Sequence, residues 1–228
     1  DPQANASSLL ASPPLVENQA GVANALSTRS DLSLPDVITT TMWERVFLAP
    51  SGGEALAAVR DELVIAGPGR EARLGEQLAL IHEDFDVVLI DCAPALDLLT
   101  SNALAAADGV LIVTQSKLLS TTGLAHLLNT ISVARHYLSP TLCVVGVLVN
   151  MHEAGTVAGS HWLDDVRDAC RSKGLPLFET PIPRRVVISD ASEAQMSLDE
   201  YPGAPVELSK IYAHHAATML TNLEENDR

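Results

Sequence analysis

The sequence predicts an α/β fold of three layers, in which helices cover both faces of a mostly parallel sheet. Aliphatic segments with strand character alternate along the chain with Leu- and Ala-rich segments of helical periodicity. Hydrophobic residues make up 47% of the 228 residues and aromatic residues only 4%, so small aliphatic side chains must build the core. Apolar runs end on Asp91, Thr114 and Asn150, as buried parallel strands do at the ligand-binding edge of such sheets.

Loops dominate the first third of the chain. Residues 12–36 are polar and contain three prolines, so we expect a loop with one short helix near 19–27. A strand at 45–49, a glycine-containing loop at 50–53 and a helix at 54–66 follow. Two glycines between strand and helix could cradle a phosphate. Because the lysine and hydroxyl of a phosphate loop are missing there, we interpret the loop as an ordinary connection.

Residues 85–102 are the most informative stretch. The run Val87-Val88-Leu89-Ile90 is continuous and rich in β-branched residues, which predicts a strand buried on both faces. This strand ends on Asp91, and an acid in that position commonly serves a magnesium ion on a nucleotide phosphate. The alternative is that Asp91 only caps the turn that Pro94 enforces. These residues by themselves leave both interpretations open.

The later elements alternate between helix and strand. Apolar periodicity, glycine and proline breaks and an N-cap at Ser120 set their predicted bounds. The predicted helices are 70–84, 98–107, 120–138, 161–173 and 204–224. The predicted strands and extended segments are 110–114, 143–149 and 177–183. This order predicts right-handed crossovers between parallel strands.

Charge and cysteine content narrow the possible functions. The net charge of −15 argues against a broadly cationic surface, so nucleic-acid binding would need a local patch. The three cysteines show no zinc spacing and no disulfide framework, which indicates a reducing compartment. Residues 1–15 lack the basic region of a signal peptide, and no apolar run reaches the roughly 20 residues of a membrane span. We therefore expect a cytoplasmic protein without a membrane anchor.

Four short motifs occur in a characteristic order. They are Asp-Pro-Gln-Ala-Asn-Ala at 1–6, Val-Leu-Ile-Asp-Cys-Ala-Pro at 88–94, Gly-Val-Leu-Val-Asn at 146–150 and Pro-Ile-Pro-Arg at 181–184. Together they resemble the motifs of ParA-type partition ATPases, in the deviant Walker group that includes MinD. The resemblance runs over nearly the whole chain and implies a single domain over residues 1–228 with a P-loop NTPase-like fold.

The resemblance also implies roles for individual residues. Asp1 would position or activate the attacking water, and Asp91 would hold Mg²⁺. Asn150 and Pro183 would contact the adenine of ATP, so ATP and Mg²⁺ are the implied cofactors. The implied function is partitioning of chromosomes or plasmids, or positioning of a cargo. The protein would cycle between an ATP-bound homodimer and a released state, and a ParB-like partner would stimulate hydrolysis.

The chain departs from the family pattern because it lacks the motif that binds the phosphates of ATP. The family's strand and Lys-Gly-Gly-x-Gly-Lys-Thr loop have no counterpart among the 228 residues. Because Asp1 stands inside a motif, we expect a domain that is truncated at its amino end and inactive as this chain alone. Ala93 also replaces the first of two family prolines.

DNA contact is a second point of departure. Many partition ATPases carry a further arginine near Val187 for nonspecific DNA binding, and this chain does not. Arg184 and Arg185 remain as candidate DNA-binding residues. They could form a local patch with Arg167, Arg171 and Lys173, or all five could belong to an ordinary solvated face.

Two other functions stay open. The missing phosphate loop favours a degenerate, nucleotide-free interaction module. A MinD-like ATPase that positions itself at a membrane is the other possibility. The tail Leu-Glu-Glu-Asn-Asp-Arg argues against membrane anchoring, because it is acidic and not a basic amphipathic helix.

Overall fold

The computed structural model describes residues 1–95, 97–115 and 121–226, and leaves the side chains of residues 121 and 122 undescribed. The predicted N-cap Ser120 lies outside these residues. Two compact units are present, one formed by 1–107 with 136–139 and the other by 108–135 with 140–228. None of the helices in the described part is both long and apolar enough to cross a membrane.

In the described part of the chain, helices and strands alternate only over residues 98–173, and runs of helices lie on either side of this part. The helices are α1 Asn5–Leu10, α2 Val22–Leu26, α3 Leu34–Val37, α4 Glu54–Ile65, α5 Arg73–Leu78, α6 Leu98–Ala106, α7 Thr121–Tyr137, α8 Val157–Lys173, α9 Val186–Glu193 and α10 Val206–Asn226. The strands are β1 Thr39–Thr40, β2 Phe47–Leu48, β3 Gly109–Gln115 and β4 Cys143–Asn150.

The core of the first unit lies between α2, α4, α5 and α6. On α4, the residues Leu56, Val59 and Leu63 recur at helical spacing and are buried. They pack with Leu26 and Leu74. The predicted strand at 45–49 is reduced to β2, which pairs antiparallel with β1 and therefore joins no parallel sheet.

The predicted strand over residues 85–91 is wrong. Residues 87–91 pair with no described strand, and Val87, Val88 and Leu89 are 45%, 46% and 76% exposed. A strand needs a neighbour that completes its backbone hydrogen bonds. The apolar side chains of this run favour the interior of a sheet, but they do not provide the adjacent strand with which its backbone must pair. The segment is consequently extended without a ladder.

Asn102 fixes α5 against α6. This side chain is only 1% exposed. Its Oδ1 accepts a hydrogen bond from the backbone NH of Leu74 at 3.2 Å, and its Nδ2 donates to the carbonyl oxygens of Arg70 and Leu98, both at 2.9 Å. A buried amide with all these partners is fully used in holding the fold. At the start of α6, Asp97 caps the helix by accepting from two backbone NH groups.

Glu62 on α4 links this helix to residues 27–28 and to Arg73 of α5 through hydrogen bonds and an ion pair. Its carboxylate accepts hydrogen bonds from the Ser27 hydroxyl at 2.8 Å, from the NH and hydroxyl of Thr28 at 2.9 and 2.8 Å, and from Arg73 Nη1 at 2.9 Å. Desolvation raises the pKa of Glu62, but these donors outweigh it and lower the pKa from 4.5 to about 2.

We expect Glu62→Gln to remove a pH-dependent part of the stability. The folded-state pKa lies below the unfolded value, so the contribution is complete above about pH 4.5 and is lost as the pH falls towards about 2. Its size at neutral pH is at most about 3 kcal/mol. Urea unfolding at pH 7 and pH 3 measures it, with the exposed acid variant Glu76→Gln as control. Equal pH dependence in wild type and Glu62→Gln would contradict the assignment.

The second unit contains the parallel sheet. Strands β3 and β4 pair in register from Gly109 opposite Cys143 to Gln115 opposite Asn150, with one irregularity between Val110 and Leu111. Residues 176–184, here called the 176–184 segment, run parallel to β4 and to the turn after it. Leu177 forms a bridge with Val147 of β4, and Pro183 forms one with His152. The predicted extended segment 177–183 is therefore confirmed, and it lies beside β4.

Helix α10 covers one side of this sheet. Its residues Ile211, Met219 and Leu223 pack against a buried cluster from β4 and the 176–184 segment. That cluster consists of Val145, Leu148, Phe178 and Ile182. A parallel sheet packed by helices is the predicted α/β class.

Gly146 allows a close approach between β4 and the 176–184 segment. A Cβ atom built on this glycine would lie 2.5 Å from Cε2 of Phe178 and 3.1 Å from the carbonyl oxygen of Pro176. The Phe178 ring therefore rests directly on the backbone of β4, and no side chain fits between them.

Candidate nucleotide and metal site

The first unit brings two of the motifs together. The amino nitrogen of Asp1 lies 3.0 Å from the carbonyl oxygen of Asp91, although 90 residues separate them in sequence. The Asp1 motif forms a tight turn, because Gln3 NH donates to Asp1 Oδ1 at 2.9 Å and Ala4 NH donates to the Asp1 carbonyl at 3.1 Å. Helix α1 begins directly after this turn. Two carboxylate-bearing residues are thus adjacent.

The Asp91 side chain is exposed and uncommitted. Among the described residues, no hydrogen-bond donor or cation pairs with its carboxylate, and it lies in the extended stretch before Pro94. A carboxylate used for structure has fixed donors, as Asp97 has at the start of α6. Asp91 therefore remains available to a ligand.

The donor set suits magnesium held jointly with a nucleotide. Within the described residues, no group of three or more His, Cys, Asp or Glu side chains could hold a metal ion. Mg²⁺ in proteins is commonly held by one or two carboxylates, with water and substrate phosphates completing the octahedron. Asp91, with Asp1 beside it, fits this kind of site and does not fit an all-protein cage.

Cys92 lies next to these acids but is not suited to nucleophilic catalysis. Partial burial raises the pKa of its thiol, and the carboxylates of Asp91 and Asp97 raise it further, against the amino group of Asp1. The reactive form of cysteine is the thiolate. At neutral pH the Cys92 thiol is therefore protonated.

The loop at 50–53 is held by contacts within the first unit. Ser51 is buried, its NH donates to Ser7 Oγ at 3.0 Å, and its own Oγ accepts from Gly53 NH at 3.3 Å. The Pro50 carbonyl accepts from Val22 NH at 2.7 Å. Polar groups that already have partners inside the fold are typical of a connecting loop.

In the second unit, Asn150 ends β4 and begins a turn. Its Oδ1 accepts from the NH of Met151 at 2.8 Å, and Met151 has the left-handed φ of 52°. Its amide oxygen is therefore committed to the turn, whereas its Nδ2 has no hydrogen-bond partner among the described residues.

A pocket of about 290 Å³ lies beside this turn. It is lined by His152, Glu153, Ala154, Thr156, Pro183, Arg184 and Arg185. The backbone holds the two sides together, because His152 NH donates to the Ile182 carbonyl and Arg184 NH donates to the His152 carbonyl, both at 2.9 Å. Three of the predicted site residues, Pro183, Arg184 and Arg185, therefore line the pocket. Asn150 does not line it and lies two residues before His152 in the sequence.

His152 and Glu153 are pocket residues that the sequence does not reveal. Arg184 Nη1 lies 3.2 Å from Glu153 Oε1, so this arginine is partly neutralised. Arg185 forms no ion pair with any residue that the structure describes. His152 is 9% exposed, and its Nδ1 is buried without a partner in the described structure. The only sequence signal for these residues is their position just after Asn150.

The basic residues of α8 do not form a cationic face. Arg167 pairs with Asp164 and Arg171 with Asp168, each at 2.9 Å and three residues apart. Such pairs on exposed helix faces interleave both signs of charge. The α8 arginines thus match the solvated-face alternative better than a DNA-binding patch.

Comparison with known proteins gives consistent matches. Residues 1–144 match the AAA_31 family, described as an AAA domain. The sporulation initiation inhibitor protein Soj of Bacillus subtilis is 36% identical over 161 residues, which is 71% of this chain and 62% of that protein. The chromosome partitioning protein ParA of Myxococcus xanthus is 36% identical over 121 residues, or 53% of this chain and 42% of that protein. The chain thus spans less than two thirds of these two relatives.

Solved structures agree on the fold. A cobyrinic acid a,c-diamide synthase of Mycobacterium smegmatis, with bound ATP analogue and magnesium, shares 31% identity and a TM-score of 0.66, covering 78% of this chain and 69% of that chain. An ATP complex of McdA from Cyanothece reaches a TM-score of 0.81 at 20% identity, covering 96% and 82%. The family match extends over more than half of the chain and agrees with its motifs and its fold. The chain therefore belongs to the AAA_31 family of AAA domains, among the ParA-type partition ATPases.

Proposed function

We propose that this protein is a ParA-like ATPase that partitions chromosomes or plasmids or positions another cargo. The observation that carries the proposal is the 3.0 Å backbone contact between Asp1 and Asp91, which joins the Asp-Pro-Gln motif to the acid of the Val-Leu-Ile-Asp motif. The names of the relatives support it, since Soj of Treponema pallidum, 29% identical over 205 residues, is a chromosome-partitioning ATPase.

The two carboxylates take different tasks. The Asp1 carboxylate, which accepts a hydrogen bond from Gln3 NH, would orient the attacking water and accept the proton that this water loses. The Asp91 carboxylate, which has no donor of its own among the described residues, would hold the magnesium ion of MgATP. When bound, Mg²⁺ supplies neutralisation of the phosphate charge in the transition state.

Asn150 and Pro183 are proposed to contact the base. Asn150 keeps a free amide donor after its oxygen has been used in the turn, and a donor suits the ring nitrogens of adenine. Pro183 has no NH, so its loop offers carbonyl oxygens, which suit the exocyclic amino group. The bridge between Pro183 and His152 keeps this loop beside the turn.

The remaining parts of the proposal concern assembly. Residues 1–228 would act as one ATPase domain together with a strand and phosphate loop ahead of Asp1. The complete protein would form an ATP-dependent homodimer, and a ParB-like partner would stimulate ATP hydrolysis. Relatives named for chromosome partitioning support the partitioning role itself.

The test of the proposed activity is ATP turnover by a chain extended ahead of Asp1 with a strand and a Lys-Gly-Gly-x-Gly-Lys-Thr loop. Turnover should require both this loop and Mg²⁺. An extended, folded chain that turns over no ATP at millimolar Mg²⁺ would favour the nucleotide-free interaction module.

The net charge of −15 opposes DNA binding more than any other step of the proposed cycle. If Arg184 and Arg185 contact phosphates, changing both to alanine should weaken binding to unrelated DNA sequences equally. It should also flatten the slope of log K against log salt by up to about two units. Fluorescence anisotropy of the ATP-bound protein measures this, with Arg167→Ala/Arg171→Ala as the matched control. No DNA retention by wild type at about 50 mM salt would point to a protein or membrane cargo.

A further inference from the structure

His215 is a buried histidine at the contact between α10 and the 176–184 segment. The residue is 5% exposed. Its Nε2 lies 2.7 Å from the carbonyl oxygen of Thr180, and its ring centroid lies 5.4 Å from that of Phe178. It therefore joins the last helix to the segment that carries Pro183 and Arg184.

The hydrogen bond to Thr180 determines the tautomer of the neutral ring. A carbonyl oxygen only accepts, so Nε2 must carry the proton and the neutral ring must present a lone pair at Nδ1. That Nδ1 is buried and finds no partner in the described part of the protein. A second proton there would create a buried cation whose new N–H has no acceptor.

The surroundings do not favour the cation. On α10 itself, the exposed His214 lies beside the ring, at 5.8 Å between centroids, and would repel it when charged. Burial lowers the pKa of His215, and His214 lowers it further, although the Thr180 carbonyl opposes this. On the other elements packed here, the charged or titratable groups are Cys143 of β4, Glu179 and Arg184 of the segment, and Arg185, Asp190 and Glu193 at or on α9.

We propose that His215 is a positioning residue, which in its neutral form anchors the 176–184 segment to α10 and which releases that segment when it is protonated. The amides of Phe178 and Ile182 report on the anchored state, because they donate to the carbonyls of Val147 and Val149 on β4, both at 2.9 Å. Release of the segment would also move Pro183, and an effect of that movement on binding of the base rests on the proposed ATPase function. The anchoring itself does not.

The sign of the pH effect follows from the direction of the pKa. The folded state holds the neutral ring, so anchoring is complete above the unfolded pKa of about 6.5 and weakens as the pH falls below it. One proton changes the equilibrium by at most about tenfold per pH unit.

Hydrogen exchange of the Phe178 and Ile182 amides tests this, between pH 5 and 7.5, after correction for intrinsic rates. In the 228-residue chain without nucleotide, protection should be constant above about pH 6.5 and should fall by up to about tenfold per unit below it. In His215→Gln the amide replaces Nε2 as donor but does not titrate, so protection should stay high and independent of pH. In His215→Phe the donor is lost, so protection should be low at every pH.

Two further variants separate His215 from its neighbours. His214→Gln should retain the wild-type pH dependence, since His214 is exposed and only adjacent. His152→Gln removes the other buried histidine next to the segment and should retain it too. A fall in protection that persists in His215→Gln, that vanishes in His152→Gln, or that is missing in wild type would overturn the proposal. Because no nucleotide is present, these outcomes are independent of the ATPase test.

Discussion

Replacing Asp91 by alanine should lower ATP turnover by orders of magnitude in a chain that carries a phosphate loop ahead of Asp1. The expected loss is large because Asp91 is proposed to hold the ion that neutralises phosphate charge in the transition state. Its side chain has no hydrogen-bond donor or cation among the described residues, so the substitution should leave the fold intact. Steady-state phosphate release at saturating MgATP measures the effect.

Asp86→Ala is the matched control for this variant. Asp86 belongs to the same segment, its side chain is 92% exposed, and its contact with Arg45 is long, at 3.5 Å. Exposed pairs of this kind contribute little to stability. Control turnover should match wild type. If Asp91→Ala also remained within about twofold of wild type, Asp91 would have no part in the site.

The 228-residue chain by itself should neither hydrolyse ATP nor form the ATP-dependent dimer. Phosphate affinity in this class comes from backbone NH groups and a lysine at a helix amino end, and none of its 228 residues forms that motif. The carboxylates of Asp1 and Asp91 repel a polyphosphate, and only magnesium would lie between them. The base contacts of Asn150 and Pro183 would then give weak affinity. Titration of a fluorescent ATP analogue with Mg²⁺ measures it.

The comparison with the extended chain makes this result decisive. Extension should bring binding into the micromolar range or tighter, as well as turnover. Micromolar binding by the 228-residue chain would place a phosphate site in a loop interpreted as structural, with Ser51-Gly52-Gly53 as the first candidate. The contacts from Ser51 to Ser7 and Gly53 would then have to break on binding. Exposed Val87, Val88 and Leu89 also make self-association of the short chain the expected behaviour.

The second half of the fold could be predicted closely from sequence. β4 was expected at 143–149 and is Cys143–Asn150, and α7 was expected at 120–138 and is Thr121–Tyr137. These elements are long or continuously apolar and lie between clear breaks, so local pattern and tertiary packing favour the same structure.

The first half was harder because its structure depends on partners. The 85–91 run has strand residues but no adjacent strand among the described residues, so it forms no ladder. The helix expected at 70–84 is only Arg73–Leu78, after which Leu80 and Ile81 donate to carbonyls three residues back and tighten the chain into turns. Apolar spacing suits both the helix and these turns. Short helices such as α1, α3 and α9 gave no signal long enough to recognise.

The start of α8 was predicted too late in the sequence. α8 was expected to begin at residue 161 and begins at Val157, because the Thr156 hydroxyl accepts from Gly159 NH and caps the helix four residues earlier. Gly155 and Gly159 precede the predicted start at residue 161, yet a glycine in the first turn is compatible with a strong cap.

The candidate site residues were predicted only where a motif carries them, and their roles stay predictions. Sequence analysis gave Asp1 and Asp91 separate roles through two motifs, and the structure places their backbones in contact. The pairing of Glu153 with Arg184, which reduces the charge offered to DNA, depends on a turn and a parallel bridge that join residues 31 positions apart. No linear pattern encodes such a contact.

The contact between Gly146 and Phe178 limits how this protein can vary. Any side chain at position 146 would overlap the Phe178 ring, so a larger residue becomes tolerable only after position 178 has become smaller. The smaller residue at 178 first leaves a cavity in the core of the second unit, which costs stability on the order of 3 to 5 kcal/mol for Phe→Ala. Each single step thus passes through a less stable protein, and the two positions are expected to change together or not at all.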